Sequence, residues 1–140
     1  MCEEINEFES ISPYSDKDAV EALGKLADHP AVIEVSKAIF PDKPKEYLRE
    51  VLKNLKSIDE FQTLVMSKAI EWVLDTSAHN FSYDGIENLK KINGKFLALS
   101  NHRDIILDPA ITQVVLYHNG LQTTEIAVGS NLLSNKYVGK

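Results

Sequence analysis

Cysteine is all but missing from this 140-residue chain. Cys2 stands alone, so no internal disulfide can form, and a reducing compartment is the expected setting. Glycine (6) and proline (5) are scarce, which excludes collagenous and low-complexity chains. No apolar run approaches the ~18–20 residues needed to cross a bilayer. The opening Met1-Cys2-Glu3-Glu4-Ile5-Asn6-Glu7 is acidic and lacks the apolar stretch of a secretory signal, and no lipobox or CaaX pattern involves Cys2. Positive charge is in deficit as well. The formal net charge is −6, with 11 basic against 18 acidic side chains up to Gly94 and 4 against 3 from Lys95 on. An acidic surface repels phosphate backbones, so nucleic acid is not an expected partner. A cytoplasmic protein is the expectation.

What is present is the balance of a soluble globular protein, 44% hydrophobic and 26% charged. The length suits about one domain with a small helical appendage. Residues 1–14 read as a loose leader. From Ser15 to residue 78 the apolar spacing is helical throughout. Ser15 with Asp18 gives a capping pattern ahead of Val20, Leu23, Leu26 and Ala27. Pro30 is placed to open a second helix with Val32, Val35 and Ile39 on one stripe. Pro44 opens a third, carrying Tyr47, Leu48, Val51, Leu52 and Leu55. Ser57 with Glu60 is a capping box that starts the strongest helix, with Phe61, Leu64, Val65, Lys68, Ala69, Trp72 and Val73 along it. Each stripe is too small to be stable alone, so the four should pack as a helical bundle over 15–78.

The pattern changes in 79–140. Lys95-Phe96-Leu97-Ala98-Leu99-Ser100 follows the Asn93-Gly94 turn and reads as a buried strand. Asp108-Pro109 is a helix start, with Asp as N-cap and Pro at the first helical position, and Asn119-Gly120 ends that helix. Thr123 to Val128 reads as a second strand. The expected fold class is therefore α+β or α/β: a four-helix region, then a strand–helix–strand unit whose strands are parallel. Two strands with one crossover helix cannot cover both faces and edges of a sheet. That part is expected either to be loosely ordered or to self-associate through 95–100 or 123–128.

Chemistry-bearing residues concentrate in Ser100-Asn101-His102-Arg103-Asp104-Ile105-Ile106-Leu107-Asp108, between a strand end and a helix start. Active sites of open α/β sheets lie at such ends. A histidine acting as base needs a second group to fix its tautomer and support its imidazolium, and an aspartate at the next helix start can supply one. Capping alone, however, would equally explain Asp108. His102-Arg103-Asp104 also spells the HRD of a kinase catalytic loop, but Pro109 stands where that loop needs asparagine and no glycine-rich loop precedes it. His29, His79, His102 and His118 show no metal-ligand spacing.

The segment from Phe96 to Asp108, FLALSNHRDIILD, resembles the first block of the glycerolipid acyltransferase family, most closely a bacterial branch with NHRDI.LD. The likeness continues through DPAITQVVLYHNG and EIAVGSNLL and spans about a third of the chain. The resemblance implies an O-acyltransferase that moves an acyl group from acyl-CoA or acyl carrier protein to a glycerol-phosphate or lysophospholipid hydroxyl, with no metal or other cofactor. It makes His102 the general base and Asp108 its acidic partner, with Asn101 and Arg103 shaping the loop and Arg103 reaching a phosphate oxygen. Five residues separate His102 from Asp108 where the usual motif has four, so Asp104 is the other candidate acid. The family's later blocks, which bind the acceptor phosphate, do not occur. An N-terminal piece of a longer enzyme, inactive by itself, is the expectation. Peripheral contact with the inner face of a membrane follows if the acceptor is a lipid. The rival reading is a non-catalytic helical interaction module with a vestigial His–Asp loop.

Overall fold

The computed structural model describes residues 12–101 and 103–127. Every regular element among them is helical, and the chain divides into two compact units between His79 and Asn80.

The first unit holds α1 (Asp16–Leu26), α2 (Ala31–Ile39), α3 (Tyr47–Asn54), α4 (Ile58–Phe61) and α5 (Ser67–Ser77), the last two joined by a π-helical turn over Gln62–Met66. The Ser15 hydroxyl accepts the Asp18 N–H at 3.2 Å and starts α1. Pro30 stands one residue before α2 rather than in it, and Pro44 belongs to the turn that enters α3. At α4 the Ser57 hydroxyl accepts the Glu60 N–H at 3.1 Å, while the Glu60 carboxylate reaches back to the Lys56 N–H at 2.8 Å. Each contact satisfies an amide that the first helical turn leaves without a partner.

The core of this unit is Ala27, Val32, Leu48, Leu52, Leu55 and Val65, with Leu23, Phe40, Val51 and Phe61 packed against it. Polar ties fix the helices on that core. Ser36 on α2 is fully buried, and its hydroxyl accepts the N–H of Leu48 in the first turn of α3 at 3.2 Å. Arg49 donates from Nε to the Ala27 carbonyl at 3.0 Å, and Asp16 accepts the Ile58 N–H at 2.8 Å. The Lys53 ammonium lies 2.6 Å from the Asp28 carboxylate and holds that carboxyl below its ordinary value.

The π-turn corrects the expected face of the last helix. Thr63 and Ser67 donate their hydroxyls to the carbonyls four residues back, Asp59 at 2.9 Å and Thr63 at 2.6 Å. Such back-bonding loosens a helical ladder, and the wide turn shifts the phase of every side chain beyond it. Val65 therefore joins the main core, whereas Ser67 and Ile70 are the buried positions of α5, which packs on α2. Leu64, Lys68 and Trp72, placed on one stripe by simple periodicity, are exposed.

The second unit holds α6 (Ile86–Leu89), a single turn entered through Gly85 at φ +76°, and α7 (Leu107–His118). Gly120, at φ +69°, ends α7 by donating to the Tyr117 carbonyl at 3.0 Å while Leu121 donates to Leu116 at 3.0 Å. This is the paired Schellman closure that Asn119-Gly120 foreshadowed. Val114 and Leu116 are its buried residues.

The α+β or α/β class is overturned here. Residues 95–100 and 121–127 form no strand, and Val128, the end of the second expected strand, lies outside the described residues. Side chains of 95–100 are exposed rather than buried, Leu97 at 83% and Leu99 at 87%. A strand exists only with a partner for its backbone groups, and these runs have none in a ladder among the described residues. Thr124 is instead clasped by Gln113 of α7. Its N–H donates to Gln113 Oε1 at 2.7 Å, and the Gln113 amide donates to its hydroxyl at 2.9 Å.

Candidate functional site

The loop before α7 is built by two carboxylates with different tasks. Asp104 braces the turn into the helix: its Oδ1 accepts the N–H groups of the N-cap residue Ile106 at 2.8 Å and of Leu107 at 2.7 Å. Asp108 lies inside α7, not at its cap, and Pro109 is the third helical residue rather than the first. Proline is tolerated there because first-turn amides have no intrahelical acceptor. The N-cap is Ile106, two residues earlier than Asp108-Pro109 suggested, and it makes no side-chain capping bond of its own; Asp104 braces the turn that leads into it.

Freed from capping its own helix, Asp108 turns its side chain back over the loop. Its Oδ2 accepts the Arg103 N–H at 2.6 Å and the Asp104 N–H at 3.0 Å, while Oδ1 makes no hydrogen bond among the described residues. Both carboxylates sit at the N-terminal end of α7, where the helix dipole favours negative charge. A tight ring of residues results: Arg103 and Asp104 are held by Asp108, and the start of the helix is held by Asp104. His102, the expected general base, lies outside the described residues. Asn101 and Arg103 are exposed on either side of it in sequence.

The other histidines lie elsewhere in the sequence. His29 accepts the Ala31 N–H at its Nδ1 at 3.2 Å, ahead of α2. His118 closes α7 beside the Tyr117 ring, and His79 is exposed. Among the described residues no group of three or more His, Cys, Asp or Glu side chains comes together as a metal site, and no helix is long and apolar enough to cross a membrane.

Sequence reasoning missed the bracing of the helix entry by Asp104. Its signal was the same as that used for Asp108, an acidic side chain two and three residues before free amides. It also missed a groove between α3 and the π-turn, lined by Tyr47, Glu50, Val51, Asn54, Leu55, Glu60 and Leu64. The cue was the Thr63/Ser67 pair, spaced to back-bond and widen the helix. Compared with known proteins, the chain matches no family model, no curated protein and no solved structure at a significant level.

Proposed function

We propose that residues 100–108 are the acyl-transfer loop of an O-acyltransferase acting on glycerolipids. The observation that carries this reading is the Asp108 carboxylate, folded back on the Arg103 and Asp104 amides with one oxygen still unengaged among the described residues. Holding those amides closes the loop and leaves the second oxygen for another group. A neighbouring imidazole is such a group.

In this reading His102 takes the proton of an acceptor hydroxyl as that oxygen attacks the thioester carbonyl carbon. The tetrahedral intermediate collapses, the C–S bond breaks, and the imidazolium returns its proton to the departing thiolate. The products are the ester and the free thiol of coenzyme A or acyl carrier protein. Asp108 stabilises the imidazolium, and Arg103 offers a fork of donors to an acceptor phosphate. The protein then works in the cytoplasm, peripheral to the inner membrane face that supplies a lipid acceptor. Asp104, whose Oδ1 is committed to the helix amides, serves the loop's shape.

The test is the titration of His102 by NMR in the 140-residue chain. Asp108→Asn should lower the imidazole pKa by about one unit, the shift expected on losing an adjacent carboxylate, and a larger drop in Asp104→Asn would make Asp104 the acid instead. An imidazole indifferent to Asp108→Asn would remove the dyad. Where this segment is joined to the family's acceptor-binding blocks, His102→Ala should cost ~10²–10⁴-fold in transfer rate. A second reading, a helical interaction module with a vestigial loop, is favoured by the location of the six-residue core, which lies wholly in the first unit.

A further inference from the structure

The groove in the first unit has a chemistry that acyl transfer does not use. It is a shallow, open hollow of about 290 Å³ lined by α3, α4 and the π-turn. Tyr47, Val51, Leu55 and Leu64 supply apolar walls, and Glu50 and Glu60 supply carboxylates. Leu64 is 53% exposed because the π-turn carries it out of the stripe shared by Phe61 and Val65. Wide turns of this kind cost hydrogen-bond geometry and recur at working sites. The volume is at the low end for a small-molecule cavity, ~300–1,000 Å³, and suits one or two side chains of a partner.

Three observations narrow the occupant. An added strand needs a sheet edge to bond to, and the described residues of this unit form no sheet. Two flanking helices offer ridges and a groove, the geometry that receives a third helix. The first 79 residues carry 16 acidic against 9 basic side chains, so an anionic lipid surface or a second copy of this unit is repelled. Three nearby cations are already engaged, Lys43 over the Tyr47 ring at 5.7 Å, Lys45 with Glu46 at 3.7 Å and Lys53 with Asp28 at 2.6 Å, and no cation lines the groove itself. Glu50 makes no ion pair among the described residues.

We propose that this groove docks a basic amphipathic helix of a partner protein. Apolar side chains spaced i and i+3 or i+4 seat against Leu64, Val51 and Leu55, and flanking lysines or arginines meet Glu50 and Glu60. The Leu64 position decides docking, because it is the exposed apolar contact and its replacement leaves the core intact.

A fluorescein-labelled helix of leucine and lysine, about 18 residues long so that it holds helical structure, is the probe. It is titrated into the 140-residue chain with amide chemical shifts recorded in parallel. Two controls are a scrambled peptide of the same composition and a leucine–glutamate twin. The expected result is saturable binding of the amphipathic peptide alone, with shifts centred on Val51, Leu55 and Leu64. Leu64→Lys and Glu50→Lys should each weaken it by about tenfold or more, the cost of like charge at an interface. No binding, equal binding of the scrambled peptide, shifts centred elsewhere, or full affinity in folded Leu64→Lys would each overturn the proposal.

Discussion

Replacing Ser36 by alanine should destabilise the helical unit far more than one lost surface hydroxyl would. Ser36 is fully buried, and its oxygen is the acceptor for the N–H of Leu48, itself only 3% exposed. That amide belongs to the first turn of α3 and has no carbonyl of its own helix to use. Ser36→Ala strands it away from water, at ~1–3 kcal/mol. The better helix propensity of alanine offsets about 0.5 kcal/mol, leaving a net loss of roughly 0.5–2.5 kcal/mol. For a unit of this size each kcal/mol moves Tm by about 4–8 °C, so Tm should fall by roughly 2–20 °C. Trp72 is the one tryptophan in the chain and lies in α5, so its fluorescence reports unfolding of this unit alone. Ser67→Ala is the matched control. Ser67 is just as buried, but its hydroxyl donates to the Thr63 carbonyl within the same helix, and removing it strands no amide. That variant should lose under about 0.5 kcal/mol. Equal losses in the two variants, or a Ser36→Ala protein as stable as the wild type, would refute the argument.

Further expectations follow from the second unit and from charge. Asp104→Ala should speed hydrogen exchange at the start of α7, because the Ile106 and Leu107 amides lose their acceptor at a cost of ~0.5–1.5 kcal/mol, and unchanged exchange would deny Asp104 that role. Gly85→Ala should destabilise the α6 turn by about 1 kcal/mol, since φ +76° suits glycine and penalises a Cβ, and shifts of Glu87 and Asn88 amides would show it. The Asp28 carboxyl is held below its ordinary 3.8 by Lys53, so the pair's contribution is present above that value and is lost as pH falls through the depressed one. Urea midpoints of wild type and Asp28→Asn should therefore keep a constant gap from about pH 8 to 5 and converge only below about pH 4, and a gap that closes near neutrality would contradict this. Leu97 and Leu99 are almost fully exposed, so the chain should bind an apolar dye and associate with rising concentration. Leu97→Asp with Leu99→Asp should reduce both, by dye fluorescence and light scattering.

The helices were legible because their ends announce themselves. Ser15, Ser57 and Gly120 do in the structure what their residue types allow, satisfying amides or carbonyls the helix leaves open. The two strands were misread because an apolar run specifies extended backbone only when a partner exists, and partners are a property of the whole assembly of elements rather than of a window. The π-turn was invisible to periodicity for a related reason. A count at fixed spacing assumes one turn width, so it set Lys68 and Trp72 on the inner face while the structure buries Ser67 and Ile70. At the candidate site, the acidic pair and its place before a helix were visible from Asp104 and Asp108, but their division of labour was not. It depends on which carboxylate reaches the free amides first, and only coordinates resolve a choice between two acids four residues apart.

The grip of Gln113 on Thr124 has a consequence for how this stretch can exchange partners. The Gln113 carboxamide oxygen takes the Thr124 amide as a neighbouring backbone carbonyl would, while its N–H meets the Thr124 hydroxyl. An incoming chain that offers a true peptide group displaces a rotatable side chain and leaves no donor stranded. Handover at this position is a trade of like for like, guarded by one rotamer.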